Sequence, residues 1–137
     1  MSDEALASEG GCQCGAVRYL AHRQGGSMIC HCKTCRAISG SLAVGWVSFE
    51  SAGFQFTKGA PRRFHSSAPI ERTFCGDCGT PLTYQPIDSK EYIDVATGTL
   101  DHPERFPPTH HSWLSHNVPW VKFGDGLPEF PQGRYDD

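Results

Sequence analysis

No stretch of this chain approaches the run of about 20 apolar residues that a membrane-crossing helix needs. The opening Met1-Ser2-Asp3-Glu4-Ala5 carries neither a basic region nor an apolar run of the secretory kind. The expectation is a cytoplasmic protein with no membrane partner. Positive charge is not in excess either: the formal net charge is −3, which weighs against a dedicated nucleic-acid surface. No linker divides the chain, and 137 residues suit one domain. A helical bundle is disfavoured, because 15 Gly and 10 Pro interrupt the chain too often. Apolar residues make up only 38 %, so metal cross-links would help such a chain hold together.

What the chain does have is cysteine, seven residues in three groups. Cys12-Gln13-Cys14-Gly15 and Cys75-Gly76-Asp77-Cys78-Gly79 read as two halves of one site, each ending in Gly and each followed by a short run ending in Tyr. Together they offer four thiolates, the set a closed tetrahedral zinc requires, and would clamp about 60 intervening residues. A C-x-x-C turn points two side chains inward, and the Gly after it permits a backbone that brings N–H groups toward sulfur. The middle group, Cys30-His31-Cys32-Lys33-Thr34-Cys35, supplies three thiolates and no cysteine remains to complete it. Three ligands with an open fourth position is the arrangement of a zinc that binds or activates a ligand. His31 sits between two of them; in an extended segment its side chain points away from theirs, which makes it a neighbour of the site or a surface residue rather than a ligand. Disulfides would leave an odd thiol unpaired. A redox role for Cys75 and Cys78 lacks the βαβ context expected of it.

Along the chain, residues 1–9 read as a disordered lead-in and 10–137 as a single zinc-binding β domain with an irregular, aromatic-anchored C-terminal tail. Gly11 to Ala21 places the first cysteine pair at the start of a strand, and Gln24-Gly25-Gly26-Ser27 reads as a turn. Arg36 to Gly40 fits one helical turn whose N-terminus lies near the cysteines. Leu42–Phe49, Phe54–Phe56, Arg62–Phe64, Ile70–Phe74, Pro81–Tyr84 and Glu91–Ala96 are candidate strands, so the fold class is mainly β with short helical turns. Asp101 to Arg105 is a turn, and Pro107 to Trp113 reads as irregular. Trp120, Phe123, Phe130 and Tyr135 are expected to anchor the tail.

Three segments carry a resemblance: Gly10-Gly11-Cys12-Gln13-Cys14-Gly15-Ala16-Val17-Arg18-Tyr19, Cys30-His31-Cys32-Lys33-Thr34-Cys35-Arg36, and Phe74-Cys75-Gly76-Asp77-Cys78-Gly79-Thr80-Pro81-Leu82. With the later His-Ser-Trp, Pro119-Trp120 and Asp125-Gly126-Leu127-Pro128, they make the chain resemble the glutathione-dependent formaldehyde-activating enzymes, a family related in fold to the Mss4-like zinc-stabilised β proteins. The resemblance implies several small coiled antiparallel sheets around a structural zinc on Cys12, Cys14, Cys75 and Cys78. It implies a second, catalytic zinc on Cys30, Cys32 and Cys35 that takes the thiol of glutathione or is displaced by it, and it places His111 at the family's late histidine, with His110 beside it.

The function so implied is a carbon–sulfur lyase that reversibly adds the glutathione thiol to formaldehyde, or a related thiol adduct. Cys30, Cys32, Cys35, His31 and His111 are the candidate catalytic residues, the two histidines as proton donors to the developing alkoxide. Arg36 and Lys33, and the pair Arg62-Arg63, are candidates for receiving glutathione's carboxylates. Trp46 or Trp113 is a candidate to wall the pocket, with core packing the preferred assignment for Trp46. The partners expected are a small thiol and a small aldehyde, the protein acting as monomer or homodimer. The alternative is a non-catalytic zinc-stabilised module that binds a protein or a small thiol without turnover.

Overall fold

A computed structural model describes residues 7–134. β1 (Ser8–Gly11), β2 (Arg18–Ala21) and β5 (Phe54–Lys58) form a three-stranded sheet in the order β1-β2-β5. The other strands are β3 (Gln24–Cys30), β4 (Val44–Glu50), β6 (Arg62–Ser67), β7 (Ile70–Phe74), β8 (Pro81–Pro86), β9 (Tyr92–Ala96) and the two-residue β10 (His111–Ser112). They make a seven-stranded sheet in the order β10-β3-β4-β9-β8-β7-β6. Every described pair is antiparallel except β10 with β3. The one α-helix among the described residues, α1 (Lys33–Ser39), is short, and four 3-10 turns complete the elements.

Alternation explains how the large sheet serves two masters. Val47 and Phe49 on β4 and Val95 on β9 turn to one face, where they meet Tyr19 and Ala21 of β2 and Phe54 and Phe56 of β5. This is the core between the two sheets, and burying each large side chain there contributes about 1.5–3 kcal/mol. The opposite face presents the row Ser48, Asp94, Tyr84 and Arg72, which lie directly across from one another on β4, β9, β8 and β7. Met28 faces Trp46 on the same side, with Cys30 two residues further along β3. This polar and aromatic face carries a smaller buried cluster of Cys30, Cys35, Trp46 and Ala96. It is the floor of a cavity.

Several expectations need correction. The large and small sheets replace the several small antiparallel sheets implied by resemblance, and one pairing is parallel. Ser8 and Glu9 belong to β1 rather than to a disordered lead-in, while residues 1–6 lie outside the described ones. Cys12 and Cys14 occupy the turn between β1 and β2 instead of opening a strand. Gln24 to Ser27 begins β3 rather than forming a turn: the ladder to β4 shifts register between Gln24 and Ser27, a bulge that accommodates the two glycines. The direction change falls earlier, where Arg23 adopts φ 58. The helix starts before Arg36 and takes in Cys35, ending at Gly40 as expected.

The tail also divides. Phe123 packs on the rings of His31 and His111, at 4.9 and 4.6 Å between centroids, and Phe130 packs on His110. Trp120, in contrast, is 71 % exposed and anchors nothing, and Tyr135 lies outside the described residues. Pro128 to Gln132 runs beside residues 111–115, bonded through Pro128 O to His111 N–H at 2.8 Å, Phe130 O to Leu114 N–H at 2.9 Å and Gln132 O to Trp113 N–H at 3.1 Å. The tail therefore supports the segment that carries Trp113.

Candidate metal centres and active site

The four sulfurs of Cys12, Cys14, Cys75 and Cys78 lie within 4.8 Å of one another. Two turns of matching form bring them together. In the first, Cys12 N–H bonds Val17 O at 3.0 Å and Val17 N–H bonds Cys12 Sγ at 3.2 Å. In the second, Cys75 N–H bonds Thr80 O at 3.0 Å, and Asp77 and Cys78 N–H groups both reach Cys75 Sγ at 3.4 Å. Gly15 at φ 82 and Gly79 at φ 83 occupy the same left-handed position in each turn, where a side chain would be strained. Gln13 N–H bonds Thr80 Oγ1 at 3.2 Å and so joins one turn to the other. A tetrahedron with sulfur about 2.3 Å from zinc has edges of about 3.8 Å; Cys12–Cys14 and Cys14–Cys75 are 3.6 and 3.8 Å apart. The donor set fits a closed zinc site. No disulfide competes, since all seven cysteines are free thiols.

The second cluster is built differently. Cys30 ends β3, Cys32 caps α1 by accepting the Cys35 N–H at 3.3 Å, and Cys35 lies in the helix's first turn. Their sulfurs also lie within 4.8 Å of one another, but no fourth His, Cys or carboxylate among the described residues joins them. Three soft donors suit zinc with a position left for another ligand. They lie against a cavity of about 410 Å³ lined further by Met28, Trp46, Ile70, Arg72, Tyr84, Asp94, Trp113 and His116. Trp46 and Trp113 thus both wall it, and Trp46 is also buried, as its preferred core assignment requires. Trp113 holds a left-handed backbone, φ 62, which is strained for a residue of its size.

The thiols are unequal. Hydrogen bonds from Cys30 and then Cys32, opposed by burial and helped by Arg72, hold Cys35 far below the ordinary thiol range, at about 2. Its neighbour Cys30 is pushed up by the same proton sharing with Cys32 and Cys35, and by burial.

Arg72 escaped sequence reasoning altogether. It is 4 % exposed, gives Nε to Ser66 Oγ at 2.8 Å and Nη2 to Cys35 Sγ at 3.5 Å, and stacks its guanidinium over Tyr84 at 4.9 Å and Trp46 at 5.9 Å. Asp94, also unforeseen, accepts a hydrogen bond from the Ser48 hydroxyl, and burial raises its pKa.

The two histidines are brought together, though not in the cavity. His31 Nε2 and His111 Nδ1 are 3.0 Å apart, and His111 Nε2 meets Asp125 Oδ2 at 2.8 Å. Both rings are fully buried and neither lines the cavity, because His31 alternates with Cys30 and Cys32 and points to the other side of the backbone. Burial, then the adjacent His111, pushes His31 below the ordinary histidine range. Lys33 is exposed, with its backbone N–H 3.5 Å from His116 Nδ1, and Arg36 donates Nη1 to His116 O at 2.9 Å; both border His116, which lines the cavity, and neither lines it. Arg63 pairs with Glu71 and lies apart from the cavity, as does Arg62.

Comparison with known proteins adds three findings. The family model described as glutathione-dependent formaldehyde-activating enzyme matches residues 7–116. The crystal structure of a Rhodobacter sphaeroides protein, a structural genomics target, is similar with a TM-score of 0.60 at 19 % identity, covering 89 % of this chain and 98 % of that one. That likeness concerns the fold. No curated protein matches the chain.

Proposed function

The chain belongs to the glutathione-dependent formaldehyde-activating enzyme family and has its carbon–sulfur lyase type of activity; from that premise we propose that the cavity over Cys30, Cys32 and Cys35 is where a glutathione thiol adds reversibly to formaldehyde. The observation that carries this reading is the open cluster itself, three thiols converging on one point at the wall of a cavity with no fourth protein ligand among the described residues. Zinc held by Cys30, Cys32 and Cys35 would supply a bound thiol of lowered pKa as nucleophile. The second zinc, on Cys12, Cys14, Cys75 and Cys78, is structural in this reading, and residues 10–137 act as one Mss4-like domain around it.

The chain's own residues do the rest. Trp46, Tyr84 and Trp113 wall the cavity and exclude water from the reacting atoms. Lys33 and Arg36, beside His116, receive the carboxylates of glutathione, so that the tripeptide lies along α1 with its sulfur inward. His31 and His111 act as positioning residues: bonded to each other and to Asp125, they fix the segment from Cys30 to Cys32 and tie it to the tail. A role without turnover, as a thiol-binding module, keeps the same cavity but predicts no adduct.

The experiment is an exchange measurement by NMR with zinc-loaded, reduced protein, glutathione and formaldehyde. Wild type accelerates formation of S-hydroxymethylglutathione, and Cys35→Ser lowers the rate at least about a hundredfold while keeping the fold. An unaccelerated reaction with both metals in place would move the assignment to the binding module.

A further inference from the structure

The most unusual side chain in the cavity is Arg72. Two of its guanidinium nitrogens are spent, on Ser66 and on Cys35, while Nη1 is buried with no hydrogen-bond partner among the described residues. An unsatisfied buried donor costs about 1–3 kcal/mol, and more when it is charged. Among the described residues no carboxylate pairs with it, and Asp94, the acid sharing the cavity, accepts a hydrogen bond from Ser48. The aromatic faces of Tyr84 and Trp46 hold the guanidinium plane in place. A fixed cation with one unpartnered nitrogen, beside the reactive sulfurs, is built to meet an anionic oxygen.

Two kinds of oxygen come with the substrates. The carboxylates of glutathione are several bonds from its sulfur, whereas the aldehyde oxygen in the adduct is one carbon away. Arg72 reaches Cys35 Sγ directly, at 3.5 Å. That proximity sets the guanidinium beside the cluster where the glutathione sulfur would bind, and so beside the oxygen one carbon from that sulfur. Resting on the reading of the cavity given above, we propose that Arg72 is a catalytic residue whose Nη1 donates to the aldehyde oxygen as a thiol sulfur adds to the carbonyl carbon. In the step, a sulfur lone pair forms the S–C bond and the C=O π pair moves onto oxygen. Arg72 stays protonated and holds that oxygen by its hydrogen bond. The proton lost from the thiol ends on the oxygen, directly or through water, so no oxidant or further reactant is needed. Reversal runs the same steps backwards.

The test uses Arg72→Gln and Arg72→Lys in zinc-loaded protein with two metals counted per chain. Glutathione affinity is read separately on the cobalt form, without and with saturating formaldehyde. With Arg72→Gln, the exchange rate at saturating glutathione falls about 10²–10³-fold, the range for loss of one preorganised oxyanion donor. Affinity for glutathione alone stays within about twofold, and affinity for the adduct drops about tenfold, a loss of about 1.4 kcal/mol. Arg72→Lys regains part of the rate, and it decides the matter if Arg72→Gln does not fold: a rate equal to wild type overturns the proposal. So does a loss of glutathione affinity with the saturated rate intact, which would make Arg72 a carboxylate receptor. A wild type that accelerates nothing overturns both this step and the reading beneath it.

Discussion

The two cysteine clusters share an element and a metal chemistry, yet differ in what surrounds the sulfurs. Around Cys12, Cys14, Cys75 and Cys78 every neighbouring group closes the site: backbone N–H groups reach Cys12 and Cys75, and Thr80 bonds the other turn and the Cys78 sulfur. Around Cys30, Cys32 and Cys35 backbone N–H groups reach Cys32 and Cys30, and the remaining surroundings are a guanidinium, aromatic faces and open volume. Four sulfurs fill a tetrahedron, and three leave a direction. The lesson is that ligand number alone separates a rivet from a reaction site only when the protein aims the missing direction at a cavity.

The largest expected break in this comparison is Cys75→Ser. Cys75 is 1 % exposed and joins the second turn to the core, so its loss removes one of the four sulfurs able to hold a metal, and core packing with it. Structural zinc carries apparent binding energies of about 10–16 kcal/mol in small domains; the variant is expected to lose cooperative unfolding and to retain less than one metal per chain. Cys32→Ser should keep a melting temperature within about 5 °C of wild type, since a shift of that size corresponds to about 1–2 kcal/mol in a domain this long. Calorimetry with metal counting checks both. Equal losses in the two variants would erase the distinction between the clusters.

A smaller effect sharpens the account of the open cluster. His111→Ala leaves His31 and Asp125 without their shared partner and opens a void under Phe123. The expected cost is about 2–4 kcal/mol, measurable by urea unfolding. The exchange rate per folded, metal-loaded molecule should stay within about threefold of wild type, because the ring does not line the cavity. A fall of about a hundredfold would return His111 to proton transfer.

The smallest effect belongs to the frame of the closed site. Arg18, one residue past the Val17 that bonds Cys12, pairs with Asp101, and hydrogen bonding from Arg18 holds the Asp101 carboxyl below its ordinary range. A depressed folded-state pKa contributes stability above the unfolded value near 3.8 that is lost as the pH falls through the folded one. For a pair this exposed the contribution is about 0.5 kcal/mol, and Arg18→Ala should lower stability by that much at pH 7 and by progressively less as the pH falls below the ordinary carboxyl value of 3.8.

Much of this was legible in the chain. Cysteine spacing separated four ligands from three, alternation gave β7 with the bounds Ile70–Phe74, and the aromatic periodicity of β4 gave the strand on which Trp46 sits. Where reading failed, the cause was long range. β10 is two residues long and is a strand only because β3 lies beside it, in parallel, with His111 opposite Ile29 and Ser112 opposite Cys30. The Gly-Gly pair at the start of β3 has turn chemistry locally and a bulge only in the presence of β4. Arg72 left a faint signal: two residues after Ile70, it shares that residue's side of the strand, and a guanidinium on an inward-facing position needs a reason. Its reason, Cys35, lies 37 residues away in sequence. His31 shows the opposite case, where the alternation of an extended segment correctly turned the side chain away from the sulfurs, while its burial against His111 needed the fold to appear.

The central claim is that a thiol enters the open cluster and leaves the closed one alone. Reduced protein carrying two cobalt ions, titrated with glutathione, tests it through the sulfur-to-cobalt charge-transfer bands. The account predicts a saturable rise of intensity in wild type, the same rise in Arg72→Gln, and none in Cys35→Ser. Two bound metals, free thiols fully reduced, and a spectrum that glutathione does not change would contradict it.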